Sequence, residues 1–307
     1  MHFTVIVPLV LSIVAFVLSF LALFAGHKEG FMEDYDVIRL NTSTLGHNLI
    51  PSATSEADPA ATTGSFLDKF IDGVGDKVSD VLNDIGNDVA DRLADELGIS
   101  EWYSLHLMDV CHGQFSPNVT APNVWLNVTN CTQPSPGPNV NLTKMLDQEL
   151  EIGPLSLSLS DLNWPDTIED AMDKVNKALL AIFVLYVMGI GFSGLAILGS
   201  LAAFFLGFKK RMTLTNFAFA FLAALVLFAG SLVTTIGAKE GAKQITDIGE
   251  DVGISAKVGQ KFMIISWVAF AVMFAASVYW VTQFCAERRS RRAPRGYTEK
   301  RHKKGSF

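Results

Sequence analysis

The chain has 307 residues, half of them hydrophobic and 18% charged, with a formal net charge of −7. That length would house two soluble domains, but the hydrophobic residues gather in four long runs, which excludes an ordinary soluble protein. The acidic balance averages two opposed regions, because residues 27–177 carry 25 acidic and 8 basic residues while those from Cys285 onward carry 2 and 9; it gives no footing for a nucleic-acid partner and implies a membrane sidedness.

The first run, Phe3–Gly26, contains no Asp, Glu, Lys, Arg or His. It exceeds the roughly 20 residues that a helix needs to cross a ~30 Å hydrocarbon core. It predicts a first transmembrane helix over 1–26. A cleaved signal peptide is the alternative, since Ala22-Leu23-Phe24-Ala25 resembles a small-x-small cleavage site. The stretch lacks a positive n-region and is longer than an h-region, so a retained span is expected.

Residues 27–177 read as one large exterior segment. All five Asn-x-Ser/Thr sequons, at Asn41, Asn118, Asn127, Asn130 and Asn141, fall inside it and predict a glycosylated loop facing the lumen and then the cell exterior. Within it, 46–65 is rich in Ser, Thr, Ala and Pro and reads as a linker. Over 66–98, Leu67, Ile71, Val74, Val78 and Val81 recur at helical spacing with Asp68, Asp72, Asp76 and Asp80 on another face, which predicts an amphipathic helix. The expectation is a helix folded over its own ectodomain, with a partner-binding surface as the alternative.

Residues 101–160 carry strand signals. Tyr103, Leu105 and Leu107 alternate with Ser104, His106 and Met108; Val124, Leu126 and Val128 alternate with Trp125, Asn127 and Thr129; Leu155, Leu157 and Leu159 alternate with serines. This period of two predicts a small antiparallel sheet with a wet face, on which the sugars of Asn127 and Asn130 would sit. Cys111 and Cys131 are the two cysteines of this segment and predict a disulfide, with two free thiols as the alternative. His106 and His112 flank Cys111, but Cys111 is better used by Cys131 and two histidines are a weak ligand set. No metal, cofactor or catalytic set is expected, and an enzyme is not.

The second, third and fourth spans are predicted at 178–208, 212–237 and 262–284, joined by a cytosolic loop at 209–211 and a second exterior loop at 238–261. In that loop Ile245, Ile248 and Val252 predict a short helix. The basic loop Lys209-Lys210-Arg211 and the basic tail at 285–307 place both termini in the cytosol. Within the tail, Arg288, Arg289, Arg291, Arg292 and Arg295 are candidates to contact anionic inner-leaflet lipids. Cys285 is a candidate for palmitoylation, with simple burial as the alternative. The spans hold no Asp, Glu, Lys, Arg or His, against a transporter or proton relay. They are instead rich in small residues such as Gly189, Gly194, Gly199, Ala220, Ala224 and Ala276, which suits close helix packing within the chain or a lateral homo- or hetero-oligomer. The fold class expected is an all-α membrane four-helix bundle carrying a small disulfide-stapled antiparallel β ectodomain.

The stretch Glu101–Gly113 joins an aromatic pair, Trp102-Tyr103, to Ser104-x-His106-Leu107 and then to Cys111-x-Gly113, with Cys131 downstream. This resembles the signature of the fungal Sur-seven/PalI family, claudin-like four-span proteins of the plasma membrane. Gly249–Phe262, with Gly253, Ser255-Ala256, Gly259 and Phe262, is similar to the family's stretch before the last span. The resemblance implies a claudin-like fold and a structural organiser of plasma-membrane domains, in eisosome-associated cortical patches, affecting cell wall, endocytosis or sporulation. It also implies eisosome BAR-domain proteins as partners. The alternatives are a membrane sensor of the PalI-like pH response and a four-span accessory of calcium influx.

Overall fold

Four apolar helices and a five-stranded antiparallel sheet make up the architecture. The structure is a computed structural model and describes residues 3–44, 100–117, 124–136, 144, 166–207, 210–249 and 253–292. After a 3-10 turn at Phe3–Val5, helix α1 spans Ile6–Leu23; α2 spans Asp166–Leu206, α3 Lys210–Gly249 and α4 Gln260–Arg292. All four are long and apolar enough to cross a membrane. The strands are β1 (Ile38–Asn41), β2 (Trp102–Leu105), β3 (Val110–Ser116), β4 (Trp125–Cys131) and β5 (Ser255–Val258), ordered β4-β3-β2-β1-β5. With the Cys111–Cys131 disulfide closing β3 on β4, this is the expected claudin-like four-span fold.

The chain divides into two compact units. One gathers Met1–Ser19, Val187–Phe228 and Trp267–Phe307. Its core is built from Ala15, Ala196, Ala203, Ala220, Ala223, Ala224, Leu227, Met273, Ala276 and Trp280, all buried. Small residues let backbones approach in lipid, where dispersion contacts rather than water drive association. Gly189 illustrates the point, since a Cβ there would press on Leu227 at 2.7 Å. Large side chains such as Val10, Leu198, Phe205 and Leu214 stay on the outside, as lipid-facing groups do.

The other unit gathers Phe20–Tyr186 and Ala229–Ser266. Here β1 pairs β2 on one side and β5 on the other, so the segment after α1 is bonded directly to the segment between α3 and α4. Further bonds hold this seam, from Gly259 N–H to the Val37 carbonyl (3.0 Å) and from the Thr44 hydroxyl to the Gly253 carbonyl (2.8 Å). One face of the sheet packs on helix. Gly241 of α3 meets Ile38 of β1 and Val175 of α2, and Ile38, Leu40 and Leu105 are fully buried.

Three expectations are corrected. The strand expected over Tyr103–Met108 ends at Leu105, before His106, and the sheet has β1, β3 and β5 where no strand was expected. The short helix expected at Ile245 and Ile248 is the continuation of α3, whose periodicity runs through to Gly249 without a break. The face bearing Ser104 is polar as predicted but not wet: all four residues of β2 are buried. The reason is that the segment following α1 folds across it, with Gly26 against the His106 ring and Glu33 bonded to Ser104. The linker at 46–65, the helix at 66–98, the strand at Leu155–Ser160, Asn118 and Asn141 lie outside the described residues.

Candidate functional site

The sealed polar face of the sheet is the most unusual chemistry in the molecule. It forms where a tight turn after β2, closed by His106 N–H donating to the Asp109 carbonyl at 3.0 Å, meets the segment that follows α1. Gly26 makes the meeting possible. Its φ of 81° lies in the left-handed region, and a Cβ there would overlap the His106 ring. The ring, thus seated, points Nε2 at Glu33 Oε1 (3.3 Å) and the Ser104 hydroxyl (3.2 Å). Ser104 donates its single proton to Glu33 Oε1 at 2.7 Å. The carboxylate therefore accepts from both partners when Nε2 bears a proton.

The cluster is buried and incompletely satisfied. Glu33 Oε2, His106 Nδ1 and both carboxylate oxygens of Asp109 have no hydrogen-bond partner. Burial pushes the Asp109 carboxyl up from 3.8 to about 6; Glu33 adds to the push, while His106 and His27 oppose it. Burial also raises Asp36, against the pull of Arg39 and His106. Arg39 bonds Asp36 and reaches the Glu33 carbonyl at 3.4 Å, so one guanidinium ties the segment to β1. At the edge of the group Lys261 donates to Asp34 at 2.6 Å and holds that carboxyl below its ordinary value.

The geometry does not make a good metal centre. Ligand atoms of Glu33, His106 and Cys111 lie within 4.8 Å of one another, but the Cys111 sulfur is committed to Cys131 and offers no thiolate. One carboxylate and one imidazole remain, short of the four ligands of a structural site. The nearby approach of Cys111 Sγ to the Gly26 carbonyl (3.5 Å) is a contact, because an oxidised sulfur has no proton to donate.

The signature residues have separate tasks around this cluster. Trp102 and Tyr103 are fully buried, and Tyr103 stacks on His112 with ring centroids 5.7 Å apart. His112 also bonds the Ser100 hydroxyl (2.7 Å). Leu107 is buried in the turn. Gly113 sits at the register shift between β3 and β4, where a Cβ would overlap the Asn127 carbonyl and press on the Trp102 ring. Among the sequon asparagines, Asn127 and Asn130 are exposed on edge strand β4, and half-buried Asn41 accepts from the Ser43 hydroxyl of its own sequon (2.7 Å).

At the other end, α4 continues to Arg292, so Cys285, Arg288, Arg289, Arg291 and Arg292 extend the helix rather than start a tail. Basic residues in a last helical turn favour this by opposing the helix dipole. Cys285 is exposed, Arg288 lies 4.9 Å over the Phe284 ring, and Arg295 is outside the described residues. Glu33, Asp36 and Asp109 were missed as site residues from sequence. Glu33 and Asp36 belong to an acidic stretch just after the first span that has no pattern to single them out, and Asp109 lies inside the signature stretch without being one of its matched positions.

The family model described as SUR7/PalI matches residues 4–279, nearly the whole chain. No curated protein matches it.

Proposed function

The chain belongs to the SUR7/PalI family, and on that premise we propose that it is a structural organiser of plasma-membrane domains, assembling into eisosome-associated cortical patches in a fungus. The observation that carries the reading is the match along 4–279, which takes in α1, α2, α3, the first 20 residues of α4 and both segments that meet in the sheet. The runs at 3–26, 178–208, 212–237 and 262–284 hold no Asp, Glu, Lys, Arg or His. That suits a scaffold better than ion or proton carriage, which needs charged groups inside the membrane. In this reading both termini are cytosolic, 27–177 is exterior and glycosylated, and the basic end of α4 with the tail beyond it rests on anionic inner-leaflet lipids. Eisosome BAR-domain proteins are the cytosolic partners, and effects on cell wall, endocytosis or sporulation follow from patch organisation. No reaction is assigned. A fluorescently tagged copy at native expression tests it: immobile cortical puncta that recover slowly after bleaching are expected. Even distribution with free lateral recovery would refute the scaffold reading.

A second reading, a sensor of ambient pH, is favoured by the buried Asp109–His106–Glu33 cluster and by the Asp109 carboxyl raised to about 6. The two readings separate on Asp109→Asn. A sensor loses its alkaline or acid response while the puncta persist, whereas a scaffold shows no change in either.

A further inference from the structure

On the membrane-facing side of one unit, α2 and α3 leave a groove of about 300 Å³ lined by Leu195, Leu198, Gly199, Arg211, Met212, Thr215, Asn216 and Phe219. Its origin is a single close approach: Asn216 Nδ2 donates to the Gly199 carbonyl at 3.0 Å, and any Cβ at Gly199 would overlap the amide oxygen. The Asn216 side chain therefore rests directly on the α2 backbone at that level. Leu195 and Leu198 stay exposed, flanked by exposed Leu201, Phe205 and Leu214. In helices that cross a membrane, such a surface is solvated by lipid. Polarity is graded along the groove. Leu195, Leu198 and Phe219 line its deep part, while Arg211 stands at the loop end of α3 with Thr215 and Asn216 a turn further in. An acyl chain, an ester region and a phosphate present the same order. Arg211 is exposed at that end, so the mouth of the groove carries a guanidinium.

We propose that this groove binds one anionic phospholipid, its phosphate paired with Arg211 and an acyl chain laid along Leu195, Leu198 and Phe219. The charge selects the headgroup and the apolar wall selects a lipid over a soluble anion. Guanidinium suits the role because it presents paired donors to phosphate oxygens. The site is separate from the basic end of α4 and holds whether or not the chain organises membrane patches.

The test is native mass spectrometry of the full-length protein released from nanodiscs of phosphatidylcholine containing phosphatidylserine. The wild type is expected to retain phosphatidylserine in preference to phosphatidylcholine. Arg211→Gln should lower that retention about fivefold, the effect of one basic residue at an anionic surface. Arg211→Lys should keep most of it, and Thr215→Trp, which fills the groove, should lose it. The tail is identical in every arm, so lipid held there cancels. Arg211 and Thr215 are both exposed, and helicity by circular dichroism checks folding. If Thr215→Trp misfolds, the Gln and Lys variants decide between them. Equal retention of the two lipids by the wild type would overturn the proposal, as would unchanged retention in Arg211→Gln. So would replacement by a sterol that ignores the charge, or conversion of a dimer to a monomer by Thr215→Trp without any change in bound lipid.

Discussion

Replacing Asp109 by Asn removes a charge from a place where both carboxylate oxygens are buried without a partner. Burial raises this carboxyl from 3.8 to about 6 in the fold. A shift of roughly two units at about 1.4 kcal/mol each means that ionised Asp109 costs the folded state about 3 kcal/mol. The sign follows from the direction. With the folded value above the unfolded one, the group is neutral in both states in acid and costs nothing. Stability is lost as pH rises from about 4 to about 6, and the loss is constant above that. Asp109→Asn should therefore match the wild type near pH 4 and exceed it by up to about 3 kcal/mol at pH 7, with a flatter profile between. Guanidinium titration of the full chain in mild detergent, followed by tryptophan fluorescence at several pH values, measures both quantities. A variant less stable than the wild type at neutral pH, with the slope unchanged, would refute the reasoning. It would mean that the carboxylate is favourably used in the fold.

Cys111→Ser should destabilise the sheet by about 2–5 kcal/mol, the usual loss on removing a native bridge from a small domain, and cell-surface biotinylation should show the protein retained before the plasma membrane. Gly113→Ala places a methyl group on the Asn127 carbonyl and should weaken β3–β4 pairing by about 1–3 kcal/mol, read as faster hydrogen exchange of β4 amides. Asn127→Gln and Asn130→Gln should each remove one glycan from exposed strand β4, visible as a smaller glycosidase shift; an unchanged shift would place β4 on the unglycosylated side of the membrane. Lys261→Met breaks an exposed pair with Asp34 and should cost no more than about 1 kcal/mol in the same titration.

The helices were legible because a membrane span announces itself by length and by lack of charge, and α1, α2, α3 and α4 cover the four runs. Their outer ends were not. Lys239, Glu240 and Lys243 interrupt the apolar run of α3, so the last turns read as a loop although the helix continues to Gly249. β4 was legible from alternation, because one face is wetter than the other. β1 and β5 are four residues each, too short to show a period; β1 lies between β2 and β5, and β5 has its hydrogen bonds from β1 across more than two hundred residues of chain. The candidate site was half legible. Ser104, His106 and Cys111 stood out through the family signature. Glu33 and Asp109, which give the site its electrostatics, come from different segments that only the fold brings together.

That division bears on what the signature is for. Trp102 and Leu107 fill the interior, Cys111 fixes β3 to β4, Gly113 permits the register shift, and Ser104 with His106 satisfies one oxygen of a buried carboxylate. None of these side chains reaches the surface to any extent, so none is available to touch a partner. The motif is a folding device that holds the segment after α1 flat against the sheet. Trp125, by contrast, is 60% exposed on edge strand β4. Trp102→Ala should therefore cost about 3–5 kcal/mol of stability, whereas exchange of exposed Trp125 should cost little, both read by guanidinium titration of the full chain.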